Sequence, residues 1–123
     1  MSKTVTLGEL VAFVLENRKG NAFKGYEERV IASGIKLASE EGTLLYATDS
    51  DNRIVGIIVC KADNKKKEMH VHDFLSTQSW VITKFLVNFR HNWPDYELVA
   101  KRKNKFVKYN TTKLYNKIVK GAV

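Results

Sequence analysis

The most informative part of the chain is residues 53–93, which read RIVGIIVCKADNKKKEMHVHDFLSTQSWVITKFLVNFRHNW. β-Branched side chains dominate residues 53–60, and a second β-rich segment occupies residues 68–75. Charged and turn-forming residues separate the two segments at 62–67. This pattern predicts two antiparallel strands joined by a turn.

The hydrophobic period changes directly after the second of these strands. From residue 78 onward the apolar side chains follow the i, i+3, i+4, i+7 spacing of a helix, and Pro94 stops the pattern. We therefore predict a helix over 78–92, with Ser76 or Thr77 as its N-cap. Its apolar stripe comprises Ile82, Phe85, Leu86, Phe89 and Trp93.

Two helices are expected ahead of this region. Thr6 and Glu9 have capping-box spacing, and the helix they begin is predicted to reach about Asn17. A second helix is predicted over 24–40, ending near Gly42. The stripe expected to be buried on this second helix comprises Val30, Ile31, Gly34, Leu37 and Ala38.

Further strands are predicted on both sides of the central pair. Residues 43–48 and the turn at 49–52 add a first strand, which makes a three-stranded meander. Residues 96–101 and 105–109 supply a fourth and a fifth strand, and Asn110 or Thr111 can cap a last helix that reaches about Val119. The expected fold is α/β (α+β), a single domain over 1–123 with a central, mostly antiparallel sheet, two N-terminal helices, one helix after the third strand and a C-terminal helix.

Composition restricts the class of protein. The 123 residues are 44% hydrophobic, which is typical of a chain that folds around its own core. Cys60 is the only cysteine, so neither an intramolecular disulfide nor a thiolate metal cluster can form within one chain. No apolar run approaches the ~20 residues of a membrane span, and no membrane insertion is expected. We expect a cytoplasmic protein.

The positive charge is concentrated at one end of the sequence. Residues 1–97 carry thirteen Lys/Arg and thirteen Asp/Glu, whereas residues 98–123 carry eight cations and no acid. Such an asymmetry suggests an anionic partner, which is a nucleic acid, an acidic protein, a phosphate-bearing ligand or a membrane surface; the alternative is a solubilising face. The eight cations are Lys101, Arg102, Lys103, Lys105, Lys108, Lys113, Lys117 and Lys120.

Aromatic residues alternate with these cations, an arrangement that suits unpaired nucleic acid. Phe106, Tyr109 and Tyr115 can stack on bases, or Phe106 and Tyr109 can instead fill the core. The run at 65–67 can extend the basic surface, or protect a hairpin turn from edge pairing. The predicted nucleic-acid-binding residues are Lys101, Arg102, Lys103, Lys105 and Lys108.

Two histidines, His70 and His72, lie on one face of the predicted third strand. Imidazole is a common zinc ligand, but two ligands are too few for a site, and His91 belongs to a different element. We therefore expect no metal and interpret the pair as ordinary strand histidines.

The order of elements resembles the GNAT (GCN5-related N-acetyltransferase) fold over nearly the whole chain. Residues 68–75 and the helix from Gln78 occupy the place of the family's fourth strand and cofactor-binding helix. The segment Lys113-Leu114-Tyr115-Asn116-Lys117 is similar to the family's terminal Leu-Tyr-x-Lys element. The compact size and the ending at 102–109 look like the short GNAT-like proteins of tailed bacteriophages, which would place this one in a host cytoplasm.

The resemblance implies acetyl-CoA as a cofactor and a set of residues that would bind it. In the family, a Gln/Arg-x-x-Gly-x-Gly/Ala loop closes around the pyrophosphate of coenzyme A at the strand-to-helix turn. The corresponding residues here contain no glycine, although Ser and Thr at a helix N-terminus can still receive an anion. The cofactor-binding residues implied are Phe74, Ser76, Thr77, Gln78 and Ser79.

The resemblance also implies catalytic residues. His70, His72 or Asp73 would remove a proton from the acceptor amine, directly or through water. Tyr115 would protonate the departing thiolate, or else it merely packs its ring against the sheet.

Two functions of different class follow from these patterns. In the first, the chain is an acyl-CoA-dependent N-acyltransferase. In the second, it is a binding module without chemistry, whose basic C-terminal segment contacts nucleic acid or an acidic protein. The glycine-free turn favours the second, and the order of elements together with Leu114-Tyr115 favours the first.

Overall fold

A computed structural model describes residues 5–18, 23, 25–102 and 105–120. The described helices are α1 (Leu7–Asn17), α2 (Glu28–Glu41), α3 (Val81–Asn92) and α4 (Thr111–Tyr115), and a π-helical turn, Asn116–Lys120, continues α4. The described strands are β1 (Leu44–Thr48), β2 (Ile54–Asp63), β3 (Glu68–Ser76), β4 (Glu97–Arg102) and β5 (Lys105–Asn110). Within the described part of the chain, no helix is long and apolar enough to cross a bilayer.

The five strands form one mixed sheet in the order β1-β2-β3-β4-β5. The pairs β1–β2, β2–β3 and β4–β5 are antiparallel. Only β3 and β4 run parallel, because α3 carries the chain back to the starting end of the sheet between them. The expected α+β class, with a mostly antiparallel sheet, two N-terminal helices, one helix after β3 and a C-terminal helix, is confirmed at this level.

Helix ends agree with the local signals in the sequence. The Thr6 hydroxyl accepts the Glu9 N–H at 3.2 Å, and the Asn110 side chain accepts the Lys113 N–H at 3.0 Å. Gly42 closes α2 in the left-handed conformation at φ +74°, which a residue without Cβ adopts at little cost. Each of these ends depends on contacts within a few residues.

The start of α3 differs from the expectation. The helix begins at Val81 rather than at 78, and Trp80 occupies the N-cap position without a side-chain hydrogen bond. Ser76 still belongs to β3, opposite Gly56. The Thr77 N–H and hydroxyl both donate to the Val55 carbonyl, at 2.9 and 3.4 Å, so the sheet takes the groups that were expected to cap the helix.

The stripe predicted for α2 is buried at only two of its five positions, and the helix begins at Glu28 rather than at 24. Ile31 and Ala38 are buried as expected, and Ile35 joins them. Val30 and Leu37 are instead 49% and 53% exposed. The helix is therefore rotated so that an apolar edge remains at the surface.

The core consists of two clusters, one on each side of the sheet. α1 and α2 pack on one side, called here the α1–α2 side, against Ile57, Val59 and Leu75. α3 packs on the other, the α3 side, where Phe85, Leu86 and Phe89 contact strand residues of β2, β3 and β4 such as Ile58, Met69 and Leu98.

Candidate functional site

β3 contains a β-bulge at His72. Val59 of β2 lies opposite Asp73, and Cys60 lies opposite Val71, so β3 has one residue more than β2 at this point. A bulge of this kind bends the strand and re-aims the side chains beside it. His72 and Asp73, although adjacent in sequence, consequently border the same groove on the α1–α2 side.

The parallel strands β3 and β4 separate beyond the bulge. Their pairing extends from Glu68 opposite Glu97 to Val71 opposite Ala100 and then stops, although β3 continues to Ser76. Residues 72–76 thus pair with β2 on one edge, and no described residue of β4 pairs with their other edge. We call this interruption of the pairing the β3–β4 opening, because the backbone donors and acceptors on that edge of β3 have no partner in the described part of β4.

A tight turn at 77–80 connects the opening to α3. The Thr77 bonds to Val55 hold the first residue of this turn against β2. Val81, the first residue of α3, is fully buried over Gly56, where an added Cβ would lie 2.4 Å from a Val81 methyl. The N-terminus of α3, with its partial positive charge, is therefore fixed next to the opening.

Of the residues predicted to bind the cofactor, Ser76 is half-buried, whereas Thr77, Gln78 and Ser79 are exposed in this turn. The Phe74 ring lies on the α3 side, edge-on to Phe85 with the ring centroids 5.9 Å apart. Only the Phe74 backbone therefore borders the opening. The structure brings these five residues together at one end of β3.

A groove of about 350 Å³ lies between α2 and the sheet, and we call it the α2 groove. Asp73, His72 and Lys61 supply polar groups from the sheet. An apolar wall with a few polar groups at one end is typical of a site for a small organic ligand. The apolar wall comprises Phe23, Tyr26, Val30, Ile31 and Leu37.

The Asp73 carboxylate is held in place by the backbone of Phe23. The Phe23 N–H donates to Asp73 Oδ1 at 3.1 Å, and Phe23 is buried in a left-handed conformation at φ +57°, which is uncommon for a large side chain. Burial raises the pKa of Asp73, and the Phe23 hydrogen bond and the His72 charge offset only part of that rise. A half-buried carboxylate with a raised pKa beside a groove can act as a base.

Cys60 also borders the α2 groove, although its side chain packs in the cluster on the α3 side. Burial raises the pKa of its thiol to about 12, so the thiol stays protonated at neutral pH. A nucleophilic role for Cys60 is therefore not supported, because the reactive form of cysteine is the thiolate.

Tyr115 lies away from both the turn and Asp73. Its ring packs on the α3 side, with the Arg90 guanidinium 4.4 Å from the ring centroid. Arg90 is nine residues after the start of α3, about 13 Å along the helix axis from the turn. The structure places Tyr115 in the packing position that the sequence left as an alternative, while its acid role stays a prediction.

The predicted nucleic-acid-binding residues lie on the β4–β5 hairpin. Lys103 falls outside the described residues, as do the side chains of Lys101 and Arg102, and Lys105 is exposed at the start of β5. Lys108 Nζ lies 2.7 Å from Glu68 Oε2, and this contact lowers the pKa of the buried Glu68 and raises that of Lys108. Lys108 is therefore committed to an ion pair within the protein.

Asp63, Glu68 and His70 form a group that the sequence reasoning missed. One ligand atom from each lies within 4.8 Å of the others, because β2 and β3 place Asp63 opposite Glu68. The group already has internal partners: Lys108 and His70 contact Glu68, and the N–H groups of Lys65 and Lys66 donate to Asp63. A metal ion would have to displace Lys108, so these residues do not support a metal site.

No protein-family model, no curated protein and no solved structure matches this chain. The residues that border the opening and the α2 groove therefore carry the functional inference.

Proposed function

We propose that this protein is a GNAT-like N-acyltransferase of the short bacteriophage type, which binds acyl-CoA in the β3–β4 opening and acylates an amine held in the α2 groove. The observation that supports it is the opening itself. It lies at the carboxyl ends of two parallel strands, beside a bulge and directly before a helix N-terminus. Ligands of α/β proteins commonly bind in such crevices.

The opening suits an extended ligand that carries amides and phosphates. The pantetheine arm of coenzyme A has two amide groups, which can pair with the unpaired edge of residues 72–76 in the manner of an added strand. Its pyrophosphate would then reach the N-terminus of α3 and the hydroxyl of Ser79. This turn has no glycine, so the backbone would approach the phosphates less closely and the Ser79 hydroxyl would replace part of that contact.

Acyl-CoA, when bound, would supply a thioester carbonyl for an amine to attack. The C–N bond would form as the C–S bond breaks, and coenzyme A would leave as a thiolate that takes up a proton from solvent. Asp73 would accept the proton that the attacking amine loses, and its hydrogen bond to the Phe23 N–H would keep the carboxylate oriented. His72 is exposed beside it and can pass that proton to solvent. The apolar wall of the α2 groove would exclude water from the reacting groups.

The first test is isothermal titration of acetyl-CoA into the protein and into Ser79→Glu. A carboxylate in the turn would repel the pyrophosphate, so we expect 1:1 binding to the wild type and at least about tenfold weaker binding to the variant. Ser33→Glu, at an exposed position on α2, is the matched control and should bind as the wild type does. Equal affinity of both variants would place any bound coenzyme A elsewhere, and the absence of binding to the wild type would reject the proposal.

A further inference from the structure

Part of the sheet on the α1–α2 side is not covered by any described helix. α1 and α2 pack on β1, on β2 and on the last part of β3, and no described residue of β4 or β5 belongs to that core cluster. A second groove, of about 550 Å³, lies on the uncovered part. We call this surface the open sheet face, and its side chains are Lys61, Lys65, His70, His72 and Phe106.

Phe106 dominates the open sheet face. Its side chain is 73% exposed at the edge strand β5, the highest exposure among the large apolar residues described. Tyr109, three residues later, packs instead into the cluster on the α3 side. Of the two aromatic residues that were expected either to stack or to fill the core, Tyr109 therefore belongs to the core and Phe106 does not.

The charge exposed around Phe106 is positive. Lys61 and Lys65, which border this face, are exposed without an acidic partner among the described ion pairs. Two acids of this region are engaged internally: Glu68 is buried with Lys108, and Asp63 accepts the N–H groups of the β2–β3 turn. A third acid, Glu97, is exposed on β4 opposite Glu68. The surface therefore combines free cations with one unpartnered aromatic ring.

We infer that the open sheet face binds single-stranded nucleic acid, with a base stacked on Phe106 and phosphates held by Lys61 and Lys65. Unpaired bases offer the ring faces that Phe106 can contact, and the phosphates match the cations. A duplex hides its base faces, and an acidic peptide has no matching series of rings. β2 and β5 are three strand spacings apart, about 14 Å, so the face can hold a few nucleotides.

The inference does not depend on acyl transfer, because Phe106 and Lys65 border neither the β3–β4 opening nor the α2 groove, although Lys61 and His72 border both that groove and the open sheet face. We propose to measure fluorescence anisotropy of a labelled mixed-sequence 12-nucleotide DNA at 50 mM and 200 mM salt, for the wild type, Phe106→Ala and Tyr46→Ala. Loss of one base stack should weaken binding by about 5- to 100-fold in Phe106→Ala. Tyr46→Ala is the matched control, because Tyr46 is also exposed but lies on β1 at the opposite edge, and it should bind as the wild type does.

Three further measurements separate the alternatives. The same DNA as a duplex should bind more weakly than the single strand, and poly-glutamate should not compete. Acetyl-CoA in excess should not displace the DNA, which keeps this site distinct from the β3–β4 opening. Unchanged affinity in Phe106→Ala, preference for the duplex, competition by poly-glutamate, displacement by acetyl-CoA, or no binding at 50 mM salt would each overturn the inference.

Discussion

Asp73 is the residue on which the proposed chemistry depends, and its environment is unfavourable for a charge. The carboxylate is half-buried, and the first cause of its raised pKa is loss of contact with water. The Phe23 N–H compensates only partly. If Asp73 served only to accept the Phe23 N–H, a neutral side chain such as asparagine would do so equally well, because one oxygen suffices for this hydrogen bond.

Asp73→Asn tests whether the protein tolerates this charge for its function. Because the pKa of Asp73 is higher in the folded protein than in the unfolded chain, the charged carboxylate lowers the free energy of unfolding at pH values above the folded-state pKa. This loss of stability disappears as the pH falls from the folded-state pKa to the pKa of the unfolded chain. We expect the variant to be as stable as the wild type or more stable at pH 7, with the difference vanishing near pH 4. Urea unfolding at both pH values measures this, and Asp95→Asn, at an exposed turn position, should show no such change.

The same variant should lose acyl transfer to an amine acceptor by about 100-fold or more while still binding acetyl-CoA, because general-base catalysis is removed and the opening is not. Tyr115→Phe should retain transfer if the ring only packs on Arg90, and should lose it if the hydroxyl is the acid. Asp73→Asn that transfers at the wild-type rate would exclude Asp73 as the base.

The sequence allowed some residues to be assigned and not others, for a physical reason. The caps at Thr6 and Asn110 were predictable because each is a contact between residues three apart. The bulge at His72 was not, because it depends on how β2 and β3 align over many residues. The pairing of Phe23 with Asp73, fifty positions apart, has no local signal at all.

At the scale of the elements, the contact between β2 and α3 decides where the helix begins. Gly56 lies directly beneath Val81, and a Cβ at Gly56 would be 2.4 Å from a methyl of that side chain. The expected cap at Ser76 or Thr77 was wrong because periodicity alone does not show that the sheet continues to Ser76. β3 therefore ends at the point where α3 can dock, and the turn is left beside the opening.

Gly56→Ala should destabilise the protein by about 1–3 kcal/mol, since the added methyl overpacks this contact. Val81→Ala should restore part of the lost stability when it is combined with Gly56→Ala, although alone it destabilises the wild type by removing buried apolar surface. Gly34→Ala is the control: a Cβ there meets no atom within 4 Å, and alanine favours the helix by about 0.5–1 kcal/mol. Denaturant unfolding of Gly56→Ala, Val81→Ala, the double variant and Gly34→Ala gives the coupling free energy between positions 56 and 81. Additive effects of Gly56→Ala and Val81→Ala would contradict the packing of Val81 on Gly56.

At the scale of the whole molecule, the sheet is covered on the α3 side and only in part on the α1–α2 side. The fold class and the order of the elements were predictable, because hydrophobic period and turn residues report them. The exposure of Phe106, Val30 and Leu37 was not, since a periodic apolar residue looks the same whether or not another element covers it. The open sheet face lies where this coverage is incomplete, and the α2 groove lies beneath the exposed apolar edge of α2.

The uneven charge of the chain has a consequence for stability. The net charge of +8 arises from residues 98–123, and cations close together on a folded surface repel one another. Added salt screens this repulsion, since the Debye length falls from about 30 Å at 0.01 M to about 10 Å at 0.1 M. We therefore expect Tm to rise by a few degrees between 10 and 200 mM NaCl.

Lys113→Gln combined with Lys117→Gln locates that effect. Both side chains are exposed on the C-terminal helical segment, and their removal should raise Tm at 10 mM salt and reduce its response to salt. Lys36→Gln is the matched control. Lys36 lies on α2 four residues before Glu40, so loss of its charge removes the attraction between these two side chains and should not raise Tm. If Tm falls with salt in the wild type, attraction outweighs repulsion over the whole surface, and the basic C-terminal segment is then already neutralised within the protein rather than available to an anionic partner.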